Sequence, residues 1–333
     1  MINAVASVVV NGTSVTAKTS ITSTTAGTAT SAGVCVRDSS WNNADFPSGG
    51  PVYLSSNPVV VTKTQTFSPG TYYYWTCVQR NSQWNTPNSY QSFTVTAPKP
   101  TPPAGTAMPV GDLPGWKQTF SDDFTAPLAS GAFPGPYASK WVSYNNFYDT
   151  SHAGWYDQSI ISAHDGNLDI NLHTANGKAL GAAPVPLVNG QWGGQVYGRF
   201  SVRMKSDSLS GYGAGFLLWN DSGNWNDGEI DFPESDLSET VNGYNHCVGN
   251  ASVNCLAFDT GVLYTSWHTY TIDWTPASVK YEIDGVVVAT DTANVPSKSL
   301  HWVMQVATRG STPDPSLNGH LLIDWATIYS YAP

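Results

Sequence analysis

Residues 224–234, NWNDGEIDFPE, place three carboxylates, Glu229, Asp231 and Glu234, within six positions of one another. Ile230 and Phe232 interleave with the first two acids, so the segment reads as a strand with an apolar face toward a core and an acidic face away from it. An unbroken strand would turn Glu234 to the wrong side. One extra residue near Phe232 and Pro233, a β-bulge, returns it to the acidic face, and proline, which cannot donate to a ladder, is tolerated at bulges. Acids crowded on one face repel, a cost that suggests work on a ligand. Two carboxylates flanking a sugar linkage are what glycoside hydrolysis needs. A solvated edge strand or a calcium loop is the plainer reading, although Ile230 and Phe232 look core-facing and calcium loops are usually turn-rich.

The rest of the chain supplies a scaffold of the same kind. Its 333 residues are rich in Gly, Thr, Ser, Val and Tyr, only 11% are charged, and no long stretch has a helical apolar period. The fold class expected is all-β. The formal net charge is −10, while residues 1–97 hold four basic and two acidic residues, so the negative charge lies further on. An acidic body argues against a nucleic-acid or anionic-membrane partner and suits an uncharged polymer. No apolar run approaches the roughly 20 residues needed to cross a bilayer. The start lacks a basic and then apolar leader and reads as a mature strand after an added Met, with export expected. Four cysteines fall as two same-region pairs, Cys35 with Cys77 and Cys247 with Cys255, which implies two disulfides and an oxidising, extracellular compartment.

Residues 1–97 alternate Val or Ile with Thr and Ser between recurrent turn signals, the pattern of a small immunoglobulin-like β-sandwich whose sheets Cys35 and Cys77 are expected to join. Trp41 and Trp84 end two similar octet-like runs, CVRDSSWN and CVQRNSQWN. They read either as a sugar platform or as rim tryptophans of a spacer. Residues 98–114 carry closely spaced prolines and read as a linker. From 115 to 333, FSDDF, DGNLDINL, YGRFSVRMK, YTIDW, VKYEIDGVVV and LLIDWATIY are strand-length runs with no helices between them, which predicts a large antiparallel sandwich.

These blocks, in this order around GEIDFPE, resemble glycoside hydrolase family 16 over nearly all of residues 115–333, with the E-x-D-x-x-E signature in its bulged form. The resemblance implies a curved, concanavalin A-like jelly roll whose concave face is an open polysaccharide cleft. It implies Glu229 as nucleophile, Asp231 as assisting acid and Glu234 as general acid and base, with retention of anomeric configuration. It matches Trp225 to a sugar-stacking tryptophan, and Asn146 and Gln305 to amides directed at the cleft. It also matches Asp123 and Asp324, with a carbonyl near Gly166, to a structural calcium site. No cofactor is implied for the chemistry itself. Trp219 ends the GFLLW strand, where core packing competes with sugar stacking. A hairpin centred near Thr240 would set His246 opposite Glu234, where it could bond an acid or a sugar hydroxyl, or be structural. Ser201, the missing Trp-Pro pair in GYGAGFLLW, and Gln305 depart from the family pattern and leave the substrate open.

The reading expected is a secreted, monomeric, retaining endo-β-glycanase acting on β-1,3- or mixed-linkage glucan. A transglycosylase, a hydrolase of galactan or agar, and a lectin-like binding protein are the alternatives. The intact set of three acids counts against the last.

Overall fold

The computed structural model describes residues 1–11, 13–46, 50–95 and 106–333. The chain forms two compact units, Met1–Lys99 and Pro100–Pro333.

In the first unit, Ile2–Asn11, Ser14–Ser23 and Val59–Thr66 form one antiparallel sheet. Ser31–Asp38, Gly70–Arg80, Gln83–Asn85 and Gln91–Val95 form another. The period-two alternation seen in sequence turns Val15, Ala17, Val34, Val36, Tyr72 and Tyr74 inward to a shared core. Cys35 and Cys77 are bonded, but they lie on neighbouring strands of the same sheet, Cys35 facing Trp75 and Cys77 facing Gly33. The bridge therefore ties adjacent strands diagonally and does not join the two sheets as expected. The sequence pairs the right cysteines, but which strands neighbour each other depends on topology that spacing alone does not carry.

Of the expected linker, residues 98–105 lie outside the described residues. The remainder of that stretch is fastened to the second unit. Trp325 Nε1 donates to the Thr106 carbonyl at 2.9 Å, Gln118 Nε2 donates to the Pro109 carbonyl at 2.9 Å, and Gly111 N–H donates to Gln118 Oε1 at 2.8 Å.

The second unit is a sandwich of two large sheets, antiparallel except where Trp155–Tyr156 runs parallel to Lys178–Gly181. The outer one is centred on the long strand Asn318–Tyr331, which pairs with Asn167–Ala175 on one side and Gly198–Ser206 on the other. The inner one runs, in spatial order, Asn250–Leu263, Thr240–Cys247, Glu229–Asp236, Tyr212–Asn220, Leu300–Thr308. Between them lies a continuous apolar core, because alternate residues of the strands are large and apolar. Phe216, Leu218, Ile230, Phe232 and Met304 of the inner sheet meet Phe200, Val202, Tyr270, Ile272 and Ile323 of the outer one. Phe232 is 1% exposed and packs edge-on against Tyr270 and Tyr281, with ring centroids 5.6 and 5.5 Å away. Burying such a ring stabilises the fold by about 2–3 kcal/mol, and this anchors the acid-bearing strand. The alternate residues of the inner sheet face away from the core, and there the cleft forms.

Candidate active site

The middle strand, Glu229–Asp236, carries the expected bulge. Asp231 pairs with Tyr244 and Glu234 with Asn242 on one side, while Asp231 pairs with Leu217 and Glu234 with Gly215 on the other. Three steps along this strand thus match two on each neighbour, and the surplus residue falls at Phe232 and Pro233. Ile230 and Phe232 stay in the core while Glu229, Asp231 and Glu234 all line one cleft of about 580 Å³. Gly215 lies directly across from Glu234, and a Cβ would fit there in ordinary contact. A Cβ there would stand 3.4 Å from Gln305 Nε2 and 3.9 Å from the Glu234 carboxyl carbon.

Trp225 sits on a 3-10 turn, Trp225–Asp227, just before the acid strand, and its Nε1 donates to Glu229 Oε2. Trp225 and Trp219 lie 6.5 Å apart with rings tilted by 30°, side by side on the cleft wall. Trp225 remains 40% exposed, so part of the indole is available to a ligand. An aromatic face of this kind suits the apolar faces of pyranose rings.

His246 lies in the cleft, but its partners differ from those expected. The hairpin turns about Ser238, where the Glu239 N–H donates to the Asp236 carbonyl at 3.0 Å. With the turn placed earlier and the bulge consuming a residue, His246 passes Glu234 and reaches the other two acids. Its Nε2 is 3.0 Å from Asp231 Oδ2 and 3.7 Å from Glu229 Oε2, and its Nδ1 donates to the Ala251 carbonyl at 2.6 Å. With Nδ1 committed as donor, a proton between Asp231 and Nε2 is either on the acid or on the imidazole.

Burial pushes the Asp231 carboxyl well up, and the neighbouring Glu229 charge pushes it further, against the pull of His246. Burial alone would lower His246, but the bond to Asp231 and the charges of Asp231 and Glu229 outweigh it and raise the imidazole to about 9. Both directions describe one shared proton. We place it chiefly on His246, which keeps some contact with solvent while Asp231 has almost none. Glu229 is also pushed up by burial, opposed by the His246 charge and by the Trp225 N–H. The ligand atoms of Glu229, Asp231 and His246 lie within 4.8 Å of one another, a spacing a cation could use. An imidazolium at His246 already supplies positive charge there.

Glu234 accepts from Arg309 Nη1 at 3.0 Å. Sequence reading passes over this arginine. Its signal is faint: a lone basic residue in ATRGS, one position beyond the end of the Gln305 strand. Gln305 is in the cleft as expected, its Oε1 accepting from Tyr156 OH at 2.6 Å and Thr150 Oγ1 at 2.8 Å. This leaves its amide nitrogen for other partners. Asn146 is not in this cleft. It is exposed, with a backbone φ of 66°, and borders a separate cavity beside Trp155 and Lys178. The turn that reverses SYNNFY carries its side chain away from the acids.

Cys247 and Cys255 are bonded, closing the loop that follows His246 and contains the Ala251 carbonyl. Of the calcium ligands expected, Asp324 is buried and accepts from Arg203 Nη1 at 2.7 Å. Asp123 is half-buried, and Gly166 lies in a turn with φ of 72°. A calcium ion takes six to eight oxygen ligands. A guanidinium already balances Asp324, so this set fits the ion poorly and no part of the chemistry is routed through it.

The sequence profile described as "Glycosyl hydrolases family 16" matches residues 156–327, the span that holds the acids, His246 and Gln305. The chain belongs to glycosyl hydrolase family 16. Among characterised relatives, a "Beta-glucanase" of Paenibacillus polymyxa is 28% identical over 148 residues, covering 43% of this chain and 59% of that protein. The chain thus spans under two thirds of that relative. Among solved structures, the laminarinase from Rhodothermus marinus superposes with a TM-score of 0.54 at 20% identity, covering 66% of this chain and 98% of that one. A Mycobacterium tuberculosis protein described as an immunostimulatory antigen and pseudo beta-1,3-glucanase superposes at 0.52, also at 20% identity, covering 64% and 98%. At these identities the likeness establishes the jelly-roll fold, and function has to be argued from the site.

Proposed function

We propose that the chain is a retaining endo-β-glycanase that cleaves β-1,3- or mixed β-1,3-1,4-glucan, acting outside the cell. The observation that carries this reading is the convergence of Glu229, Asp231 and Glu234 on one cleft wall by a single bulge, beside Trp225 and Trp219. The β-glucanase relatives support the substrate class, and the open shape of the cleft suits an internal stretch of polymer.

In this mechanism the ring of one sugar unit lies against Trp225 with its anomeric carbon over Glu229. Glu234 protonates the leaving glycosidic oxygen as Glu229 attacks, giving a glycosyl-enzyme ester. Glu234 then takes a proton from a water whose oxygen attacks the anomeric carbon, breaking the ester to Glu229 and releasing the sugar with its original configuration. Asp231 and His246 share the proton that neutralises part of the acidic cluster. They hold Glu229 in place and keep three negative charges from meeting in one buried space. Arg309 fixes Glu234 at the opposite end. The two disulfides fit an oxidising compartment.

Laminarin, lichenan, agarose and galactan with product sizing test the substrate assignment. Internal cleavage of laminarin or lichenan is expected, and products from agarose or galactan alone would overturn it. Replacing Glu229 with Gln is expected to reduce turnover by at least roughly 10⁴-fold while binding persists, since the nucleophile is lost and the shape is kept.

A further inference from the structure

The strand Gly70–Arg80 is apolar on both faces, and only one of them is explained by the core. Tyr72, Tyr74, Thr76 and Val78 point inward and are buried. Tyr73 and Trp75 point outward, where a strand at the surface usually carries polar residues. Trp41, 54% exposed, lies flat on Tyr73 with centroids 5.6 Å apart and planes 6° from parallel. Tyr90, 59% exposed, stands perpendicular to both at 5.7 Å. Trp75 completes the group 6.4 Å from Trp41. The result is a flat indole surface with an upright aromatic wall.

This face is held in shape. Asp38 accepts from the backbone N–H groups of Ser40 and Asn42 at 2.8 Å each, which fixes the loop that presents Trp41. Trp41 itself sits at φ of 62°, a left-handed conformation uncommon for a bulky residue. The Cys35–Cys77 bridge ties the same two strands, with Cys35 directly opposite Trp75. The charged groups nearby are partnered: Asp38 is taken up by its own loop, and Arg37 by Asp45. Arg37, whose guanidinium lies 5.6 Å from the Trp75 ring, is paired with Asp45 at 2.9 Å, and Ser92 stands opposite Tyr73. With two acidic and four basic residues in positions 1–97, this unit offers no strong field for a charged ligand.

We propose that this face of the N-terminal unit binds the flat ring faces of a neutral β-linked polysaccharide. Rigid, exposed aromatic rings bounded by hydrogen-bonding groups, the charged ones among them already partnered, match a sugar ring, which presents apolar C–H faces and a rim of hydroxyls. A protein partner would call for a broader apolar patch with a closed polar rim. Trp84 lies further along the same face, across from Gln79, and extends it in the strand direction. The proposal does not depend on the hydrolytic reading of the other unit.

The test uses the whole chain carrying Glu229→Gln, so that the polymer survives, and measures its retention on insoluble β-1,3-glucan, cellulose and chitin. Trp41→Ala and Tyr90→Ala are each expected to weaken retention on at least one of these roughly tenfold. Trp41→Tyr should keep most of it, and turnover of soluble oligosaccharide by the otherwise unchanged enzyme should not move. Equal retention of parent and alanine variants on all three matrices overturns the proposal, as does a parent that none of them retains. If Trp41→Ala instead converts a dimer to a monomer with retention unaltered, the face is an interface between copies and the proposal fails.

Discussion

Replacing His246 with Gln removes the imidazolium from between Asp231 and Glu229 while keeping a hydrogen-bonding side chain of similar reach. In the folded protein His246 is raised from 6.5 to about 9. At about 1.4 kcal/mol per unit of pKa, that displacement corresponds to roughly 3 kcal/mol of favourable interaction. The imidazole is open to the cleft on one side, and solvent screening cuts this to about 1.5 kcal/mol. Because the folded value lies above the unfolded one, the stabilisation is complete below pH 6.5 and is lost as pH rises through about 9. For a unit of this size, about 1.5 kcal/mol corresponds to a melting temperature roughly 3–6 °C lower in the variant at pH 6. Thermal unfolding of both proteins, measured by tryptophan fluorescence from pH 5 to 10, reads this out. The expected result is a gap that is widest below pH 6.5, narrows steadily above it and has closed by about pH 9 to 10, because the wild type loses its advantage over that range. A gap that stays constant across that range would refute the shared-proton account, leaving His246 as a packing residue only.

The same geometry sets two more expected outcomes. Phe232→Ala, at a ring that is 1% exposed between Tyr270 and Tyr281, should cost about 3–5 kcal/mol in denaturant unfolding and lower activity through loss of the bulge. Cys247→Ser with Cys255→Ser opens a loop between residues eight apart in sequence and should cost about 2.5 kcal/mol. Because the loop carries the carbonyl that orients His246, kcat should fall along with stability. Unchanged kcat would show that the Ala251 contact is incidental.

The bulge is legible in the sequence because its causes are local. Two apolar residues alternate with two acids, and a proline sits where a ladder donor would be wasted. The sandwich is legible for the same reason, since period two is written into each strand. Register between strands is not written locally. A symmetric hairpin counted from Thr240 sets His246 against Glu234, whereas the turn sits about two residues earlier. The Cys35–Cys77 pair forms, yet within one sheet and not across two, because no local signal says which strands become neighbours. Asn146 leaves the cleft through a left-handed turn that its own Asn-Asn sequence allows but does not require. Arg309 reaches Glu234 from a position 75 residues away in sequence, a contact no spacing could show.

The central claim is that the bulged strand brings a nucleophile and a proton donor to one sugar unit. A 2-deoxy-2-fluoro β-glucoside of a laminari-oligosaccharide, bearing a good leaving group, forms the glycosyl-enzyme quickly and releases it slowly, and peptide mass spectrometry then locates the ester. The account predicts one label per chain, on Glu229. A label on Glu234, or turnover of the reagent with inverted configuration and no label at all, would contradict it.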